Sequence, residues 1–417
     1  MSYTRPQYPT PRFLEKNIHF FMRLAIVTPY PPSITGIGQY GYHISRLLAH
    51  SGAFSQVTVL TGHNGASQVE VPYPIGIEHG WEPDRLRIGR AIPEALTRIQ
   101  PDLVWFNLGV SVFGREPLAN LSGFLSILGV KRQRLPSVVT LHELPELTDL
   151  RALRAPGGVL ARYGGRLLTN IATSGDVTCL TTRHYADWLT KRRTAASLVH
   201  IPLGAYGRPD PLPENDFPEL LLFTTLAPFK GVELLLQAFQ TLKESHRNLR
   251  LTIAGAEHAR FPGYLERVRK KYSNVDGVRW LGQVPESEIR DLFRRAQLVI
   301  LPYLASTGSS SVLWQAARYG RSLVVADLDD IRSTVNEAGL DVAFFKRGDA
   351  GSLVQAVRAM LLFPECRRAQ TQTNLVAARR HRPQDTCRAY LRAFNLALEA
   401  QRSSKRIPLS GLSEETA

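Results

Sequence analysis

The residue best suited to do chemistry in this sequence is Lys230, which stands beside Gly231 between two stretches of different periodicity. Before it, residues 220–223 form an unbroken apolar run, as fully buried parallel strands do. After it, apolar residues recur at helical spacing from Val232 onward. The first turn of a helix attracts anions, because its unpaired N–H groups and the helix dipole favour negative charge. Lys230 is therefore a candidate phosphate-binding residue, and a solvated lysine beside a turn is the alternative that this segment leaves open.

A second candidate is the glycine pattern G-x-G-x-x-G, formed by Gly36, Gly38 and Gly41. It follows a predicted strand at residues 23–28, but a proline-rich stretch separates the strand from the first glycine. In a dinucleotide-binding unit that glycine closes the turn directly at the end of the strand. The next predicted strand, residues 56–60, also lacks an acidic residue to bind ribose hydroxyls. We therefore favour a glycine-rich loop that approaches a sugar or a phosphate.

These residues must be positioned by an α/β fold, because predicted strands and helices alternate almost throughout the chain. At roughly 100–200 residues per domain, 417 residues suggest two domains. Cys179, Cys366 and Cys387 are far apart, so neither a disulfide framework nor a structural zinc site is indicated. No apolar run approaches the ~20 residues that span a bilayer, and the N-terminus is a poor signal peptide. We predict a cytoplasmic protein with a flexible N-terminal extension at residues 1–21, unless Met22 is the true start.

The formal net charge of +15 indicates an anionic partner. The sequence has no RNP-type aromatic motif, zinc finger or recognition-helix signature, so we do not expect nucleic acid. An anionic membrane surface fits better, because basic residues stand among apolar ones in two segments. A core-packed helix with a solvated basic edge is the alternative. The basic residues are Arg151, Arg154, Arg162 and Arg166 in one segment and Lys131, Arg132 and Arg134 after the apolar residues 118–130 in the other.

Several glycine-rich or polar loops follow predicted strands downstream of Lys230. Gly255 ends the strand at residues 249–254, and Gly282 lies in the next apolar segment. A serine-rich loop at residues 306–311 follows the strand at residues 297–301. Ligands in open α/β sheets bind beyond the carboxyl ends of the strands. The sequence therefore predicts that these loops and Lys230 share one binding site.

The order of these motifs resembles glycosyltransferase family 4, the retaining GT-B enzymes, from about residue 23 to about residue 400. The matching stretches are PPSITGIGQYG, TLHE, IPLGA, APFKG, IAGAE, LGQVPESEI, LPY and WQAARYGRSLVV. The resemblance implies a GT-B architecture, in which two Rossmann-like domains with parallel sheets face each other across a cleft. We predict an acceptor-side domain at residues 22–203 joined by a returning helix at about 384–400, a linker at 204–216, a nucleotide-sugar-binding domain at 217–378 and a disordered tail at 401–417.

The resemblance also implies roles for particular residues. Lys230 and the N–H groups at residues 308–311 would stabilise the charge on the departing phosphate, with no metal ion or other cofactor. The β-phosphate of the donor would help to deprotonate the acceptor hydroxyl, which retains the anomeric configuration. His142 would contact the donor sugar and the acceptor, with a purely structural hydrogen bond as the alternative. Further donor-binding residues implied by the family are Gly36, Gly38, Gly255, Gly282 and Val284.

Three positions depart from the family pattern. Thr225 stands where most members carry an arginine, and Thr307 and Gln315 replace two glutamates. Their side chains can still hydrogen-bond ribose, sugar hydroxyls or phosphate, but neutral hydrogen bonds are roughly half as strong as charge-assisted ones. The predicted donor loop comprises Thr307, Gly308, Ser309, Ser310 and Ser311, with helix capping as the alternative for its serines.

Together these residues predict a hexosyltransferase of polysaccharide biosynthesis. It would move a hexose of the mannose or glucose type from a nucleotide diphosphate sugar to a glycan or lipid-linked acceptor at the inner membrane face. The departures at Thr225, Thr307 and Gln315 keep a second hypothesis open. That hypothesis is a catalytically silent subunit of GT-B fold that binds a sugar nucleotide or a glycan for an active partner.

Overall fold

The computed structural model describes residues 22–31, 35–62, 75–147, 158–192, 197–215, 217–305 and 308–405. The predicted extension at residues 1–21 and the donor-loop residue Thr307 lie outside these ranges. The elements of the first domain are β1 Arg23–Val27, α1 Gly36–Ala49, β2 Gln56–Gly62, β3 Ile75–Trp81, α2 Ile88–Ile99, β4 Leu103–Leu108, α3 Pro117–Arg132, β5 Ser137–Leu141, α4 Gly158–Ala172, β6 Val177–Leu180, α5 Arg183–Lys191 and β7 Ser197–His200.

The first domain is built on a seven-stranded parallel sheet with the order β3-β2-β1-β4-β5-β6-β7. Every residue of β4 is buried, as expected for a central strand covered by helices on both faces. The chain runs outward from β1 to β3 and then returns to β4 on the other side of β1. The connections after β1 and β4 therefore diverge, which opens a crevice at their carboxyl ends.

The second domain repeats this design with a six-stranded parallel sheet of order β10-β9-β8-β11-β12-β13. Its switch point, where the strand order reverses, lies between β8 and β11. The elements are β8 Glu219–Phe223, α6 Val232–Ser245, β9 Arg250–Ala254, α7 Tyr264–Lys271, β10 Val278–Gly282, α8 Glu286–Arg295, β11 Leu298–Leu301, α9 Ser311–Arg318, β12 Ser322–Ala326, α10 Asp329–Ala338, β13 Ala343–Phe345, α11 Ala350–Leu362, α12 Pro364–Arg380 and α13 Pro383–Lys405.

The last helix, α13, packs on the first domain, although it follows the second domain in sequence. The ring of its Tyr390 lies 4.6 Å from that of Trp105 in β4. The Tyr390 hydroxyl is 2.9 Å from the Tyr40 hydroxyl and 3.1 Å from Thr140 Oγ1. The helix continues to Lys405, past its predicted end near residue 400, so the first part of the predicted disordered tail is helical. Residues 406–417 lie outside the described residues.

The segment between the domains is hydrogen-bonded to the second domain. The buried Arg321 donates to the carbonyls of Leu212 at 2.9 Å and Pro213 at 2.7 Å, and Arg367 pairs with Glu214. These contacts fix the C-terminal part of the predicted linker, because backbone carbonyls and a carboxylate anchor it to buried arginines.

The two domains also touch across the cleft between their sheets. Tyr185 in α5 donates a hydrogen bond of 2.7 Å to Asp330 Oδ2 in α10. About two turns further along α10, the Glu337 carboxylate lies 2.9 Å from His200 Nδ1 of the first domain. The structure is therefore a closed form, in which residues of both domains can reach one ligand.

Candidate active site

Lys230 lies at the switch point of the second sheet. Lys230 is the last residue of a 3-10 turn, Pro228–Lys230, which lies between β8 and α6. Its ammonium nitrogen is 4.0 Å from the ring centroid of Tyr303, which follows β11. Gly231 has φ +71°, and a Cβ there would overlap the carbonyl oxygen of Pro302, so only glycine fits between the two loops. Lys230 thus lies two residues before the first residue of α6, whereas the sequence predicted it in the first turn of that helix.

The loops after β8, β9 and β10 are stacked on one another beside Lys230. Gly255 has φ +135°, and a Cβ there would overlap the carbonyl oxygen of Thr224. The N–H of Gly255 donates to the carbonyl of Gly282 at 2.6 Å. Thr225 and Val284 are half-buried in the same group of loops. The predicted residues on these loops are therefore neighbours, although Thr225 offers a hydroxyl where most members of glycosyltransferase family 4 carry an arginine.

The serine-rich loop closes onto the first domain. Gly308 has φ +94°, and a Cβ there would overlap the carbonyl oxygen of His142. The N–H of Gly308 donates to Asp330 Oδ2 at 3.2 Å, so a carboxylate already occupies one of the N–H groups predicted to bind phosphate. Ser310 is the N-cap residue of α9, but its side chain makes no capping hydrogen bond. The half-buried Gln315 lies on α9 directly after this loop.

His142 follows β5 in the first domain, and its environment fixes its tautomer. Its Nε2 is 2.6 Å from Asn107 Oδ1, and the Asn107 amide nitrogen donates to Thr28 Oγ1 at 2.9 Å. An amide oxygen can only accept, so Nε2 carries the proton and Nδ1 carries the lone pair. Burial lowers the pKa of His142 to about 3, which keeps the ring uncharged. Sequence reasoning missed Asn107, although an amide inside the buried strand LVWFNL is an unusual polar group.

The three glycines of the first-domain pattern have different surroundings. Thr35 is the N-cap residue of α1, and its Oγ1 accepts the N–H of Gly38 at 2.9 Å, so this N–H is not open to a diphosphate. A Cβ on Gly41 would lie 3.1 Å from the Asn107 amide nitrogen and even closer to Thr28. A Cβ on Gly36 would meet nothing within 4 Å. Among the three, Gly36 leaves room for a ligand, whereas Gly38 and Gly41 serve local structure.

Solved structures with the same architecture include HepE from Anabaena, in a complex with UDP and glucose. Its TM-score is 0.68 at 12% identity, with 90% of this chain and 99% of that chain covered. Sucrose-phosphate synthase from Thermosynechococcus elongatus has a TM-score of 0.65 at 13% identity, with 92% and 98% covered. At these identities the likeness shows the fold, which is the predicted GT-B arrangement.

Sequence comparisons identify the activity. Residues 218–362, from β8 to the end of α11, match the family model described as Glycosyl transferases group 1. A phosphatidyl-myo-inositol mannosyltransferase from Mycolicibacterium smegmatis is 25% identical over 353 residues, which cover 80% of this chain and 81% of the relative. The chain is a GT-B glycosyltransferase. The predictions of fold and enzyme class are confirmed.

Glu143 is a residue of the glycosyltransferase cleft that sequence reasoning did not select. Its carboxylate accepts the N–H of Val110 at 3.2 Å, in the loop after β4. The pKa of Glu143 is raised to about 7, mainly by burial and to a smaller extent by nearby Asp330, although the Val110 N–H and the positive charge of Lys230 act to lower it. Its position directly after His142, at the end of a strand, was the signal available in the sequence. The cleft therefore contains a carboxyl group that titrates near neutral pH opposite Lys230.

This titration predicts that donor use weakens as the pH rises above about 7. The positive charge of Lys230 favours the ionised form of Glu143. A bound diphosphate would neutralise that charge and raise the pKa of Glu143. The donor therefore binds more tightly when Glu143 carries a proton. Below pH 7 the proton is already present. Above it, kcat/KM for the sugar nucleotide should fall by up to about tenfold per pH unit. In Glu143→Gln this slope should be absent, and equal slopes in both proteins would contradict the assignment.

In the described residues, no group of three or more His, Cys, Asp and Glu side chains could hold a metal ion. The functional groups at the cleft include the Lys230 ammonium, the neutral imidazole of His142 and the titratable carboxyl of Glu143. The ammonium and the imidazole lie at the ends of central strands in opposite sheets. A ligand that fills the cleft must therefore contact both domains.

Proposed function

We propose that this GT-B glycosyltransferase is a retaining, metal-independent enzyme of the family 4 type. Its donor is a nucleotide diphosphate sugar that carries a hexose of the mannose or glucose type, and its acceptor is a glycan or a lipid-linked glycan. Two similar proteins support this choice. HepE is in a complex with UDP and glucose, and the Mycolicibacterium smegmatis relative is named as a mannosyltransferase of phosphatidyl-myo-inositol.

The observation that carries the proposal is the position of Lys230 opposite His142. Lys230 lies at the switch point of the second sheet, and Gly308 brings the same domain against the His142 carbonyl. A diphosphate bound at Lys230 would direct its sugar toward the first domain and His142. A sugar nucleotide has this layout, with an anionic centre between a nucleoside and a neutral sugar.

The proposed reaction breaks the bond between the anomeric carbon and the β-phosphate oxygen. The Lys230 ammonium offsets the negative charge that builds on that oxygen, as preorganised cations do for developing charge. The acceptor hydroxyl gives its proton to the departing phosphate and bonds to the anomeric carbon on the same face, so the configuration is retained. The His142 ring is neutral, so its Nδ1 can accept a hydrogen bond from a sugar hydroxyl without opposing the positive charge that develops on the sugar.

A nucleotide-release assay tests the proposal. UDP-glucose, GDP-mannose and related sugar nucleotides are incubated with the enzyme and with glycan or lipid-linked acceptors, and free UDP or GDP is measured. We expect one donor to be turned over, release to continue in EDTA, and the anomeric proton of the product to show the configuration of the donor. An inverted product would contradict retention, and loss of turnover in EDTA that Mg²⁺ restores would contradict metal independence.

We also propose that the enzyme binds the anionic inner face of a membrane through α3 and α4. Leu118, Leu125, Tyr163 and Leu167 are exposed on these neighbouring helices, at 65%, 42%, 66% and 47%. Arg162 and Arg166 on α4 are exposed beside them, whereas Arg151 and Arg154 lie outside the described residues. Apolar side chains next to basic ones suit an acidic lipid surface. No helix in the described residues could itself cross a bilayer.

Vesicle binding checks this surface. The enzyme should pellet with phosphatidylcholine vesicles that contain phosphatidylglycerol, and high salt should weaken the binding because it screens the arginine charges. The double variant Leu118→Glu and Leu167→Glu should pellet severalfold less. Leu362→Glu is the control, because Leu362 is as exposed as Leu118 but lies on the second domain. An absence of pelleting at low salt would contradict the proposed surface.

A further inference from the structure

The loop after β9 places His258 beside Lys230. The backbone N–H of His258 donates to the carbonyl of Leu226 at 2.9 Å, which continues the pairing of β8 and β9 beyond the sheet. The ring of Phe229 lies 5.8 Å from the His258 ring and 5.5 Å from the Lys230 ammonium nitrogen. Phe261 packs against the other rings of this group, 5.7 Å from His258. Backbone pairing and aromatic packing therefore hold His258 at the same strand ends as Lys230.

A backbone hydrogen bond fixes which nitrogen of His258 carries the proton. The N–H of Arg260 donates to His258 Nδ1 at 3.2 Å. Since Nδ1 must offer a lone pair, the neutral ring carries its proton on Nε2. Burial and the positive charges of Lys230 and Arg260 lower the pKa of His258 to about 4, so the ring is neutral at pH 7. His258 is therefore a preorientated, uncharged Nε2–H donor.

We propose that His258 is a second donor-binding residue, whose Nε2–H donates a hydrogen bond to the diphosphate held by Lys230. This inference rests on the proposed function, because it assumes a nucleotide diphosphate in the cleft. Thr225 leaves the site without the second cation that most family members have, and His258 offers a polar hydrogen from a neighbouring strand end. A neutral donor binds phosphate without adding a second like charge next to Lys230.

Two substitutions separate this role from simple support of the loop. In His258→Asn the amide oxygen can replace Nδ1 as the acceptor for the Arg260 N–H, but nothing replaces the Nε2–H. In His258→Gln the longer side chain places an amide N–H near the position of Nε2. Binding of UDP and GDP is measured by calorimetry for both variants and for wild type. We expect the His258→Asn variant to bind UDP or GDP about tenfold more weakly or worse, which is the effect of losing one hydrogen bond to a charged group. Gln should stay within about threefold of wild type.

The outcomes are distinct. If His258 only supports its loop, the order of the nucleotide affinities reverses. The His258→Asn variant then binds nucleotide as wild type does, and the His258→Gln variant binds it more weakly. Asn and Gln variants that both bind as wild type would also overturn the proposal. In proton NMR, nucleotide should shift the His258 Nε2–H resonance, and an unchanged resonance would contradict the hydrogen bond. His246→Asn, at the far end of α6, is the control. Wild type that binds neither nucleotide would overturn the proposed function itself.

Discussion

Replacing Lys230 with alanine should lower kcat/KM for the sugar nucleotide by about a hundredfold to a thousandfold. Removal of one preorganised donor from a developing oxyanion has effects of this size in other enzymes. Here the loss should be near the upper end, because Thr225 replaces the arginine that would otherwise share the charge. The measurement is nucleotide release at subsaturating donor, together with the dissociation constant for the nucleotide product.

The matched control for this prediction is Lys271→Ala. Lys271 also lies over a tyrosine ring, 5.2 Å from the centroid of Tyr272, but it stands in the last turn of α7 and pairs with Glu233 at 3.4 Å. Its removal should change kcat/KM by less than about twofold, because exposed ion pairs contribute little. Both variants should keep the melting temperature of wild type within a few degrees. Lys230→Ala that turns over donor at the wild-type rate would contradict the assignment of Lys230.

The order of secondary structure elements could be predicted from the sequence because parallel strands leave a strong signal. Strands buried on both faces are continuous apolar runs, such as LLLF in β8 and LVIL in β11, and each is followed by helical spacing. The position of Lys230 beside a strand end follows directly from that pattern. The family resemblance then located His142 and the serine loop, whose spacing along the chain is fixed by the same elements.

The contacts between distant loops could not be predicted in this way. Glu143, Asp330 and His258 are ordinary polar residues in sequence, and their importance comes from which loops face each other in the folded chain. The Gly308 N–H was predicted to face phosphate, but in the closed structure it meets Asp330, a residue two elements away. Gly38 was predicted to approach the diphosphate, but its N–H donates to the N-cap side chain of Thr35 instead. Local periodicity carries no information about the contact between Gly308 and Asp330, since it depends on which loops of the folded domain lie side by side.

The closed cleft depends on the absence of a side chain at residue 308, so Gly308→Ala should be severely defective. A methyl group there would overlap the carbonyl oxygen of His142 in the opposite domain. To avoid this overlap the two domains would have to move apart, which separates Lys230 from His142. A displacement of about 1 Å in a catalytic arrangement can cost about a hundredfold in rate. We expect kcat to fall by about that factor, while nucleotide binding to the second domain changes by less than about fivefold.

Gly339→Ala is the control that isolates this overlap from backbone strain. Gly339 ends α10 with φ +65°, and a Cβ there would meet nothing within 4 Å. Both alanine variants carry a left-handed backbone penalty of about 1–2 kcal/mol, so both should lose similar stability. Only Gly308→Ala should lose activity and show a larger radius of gyration in small-angle scattering, because only there does the methyl group meet the other domain. Equal activity in the two variants would mean that the contact between Gly308 and His142 is not required for catalysis.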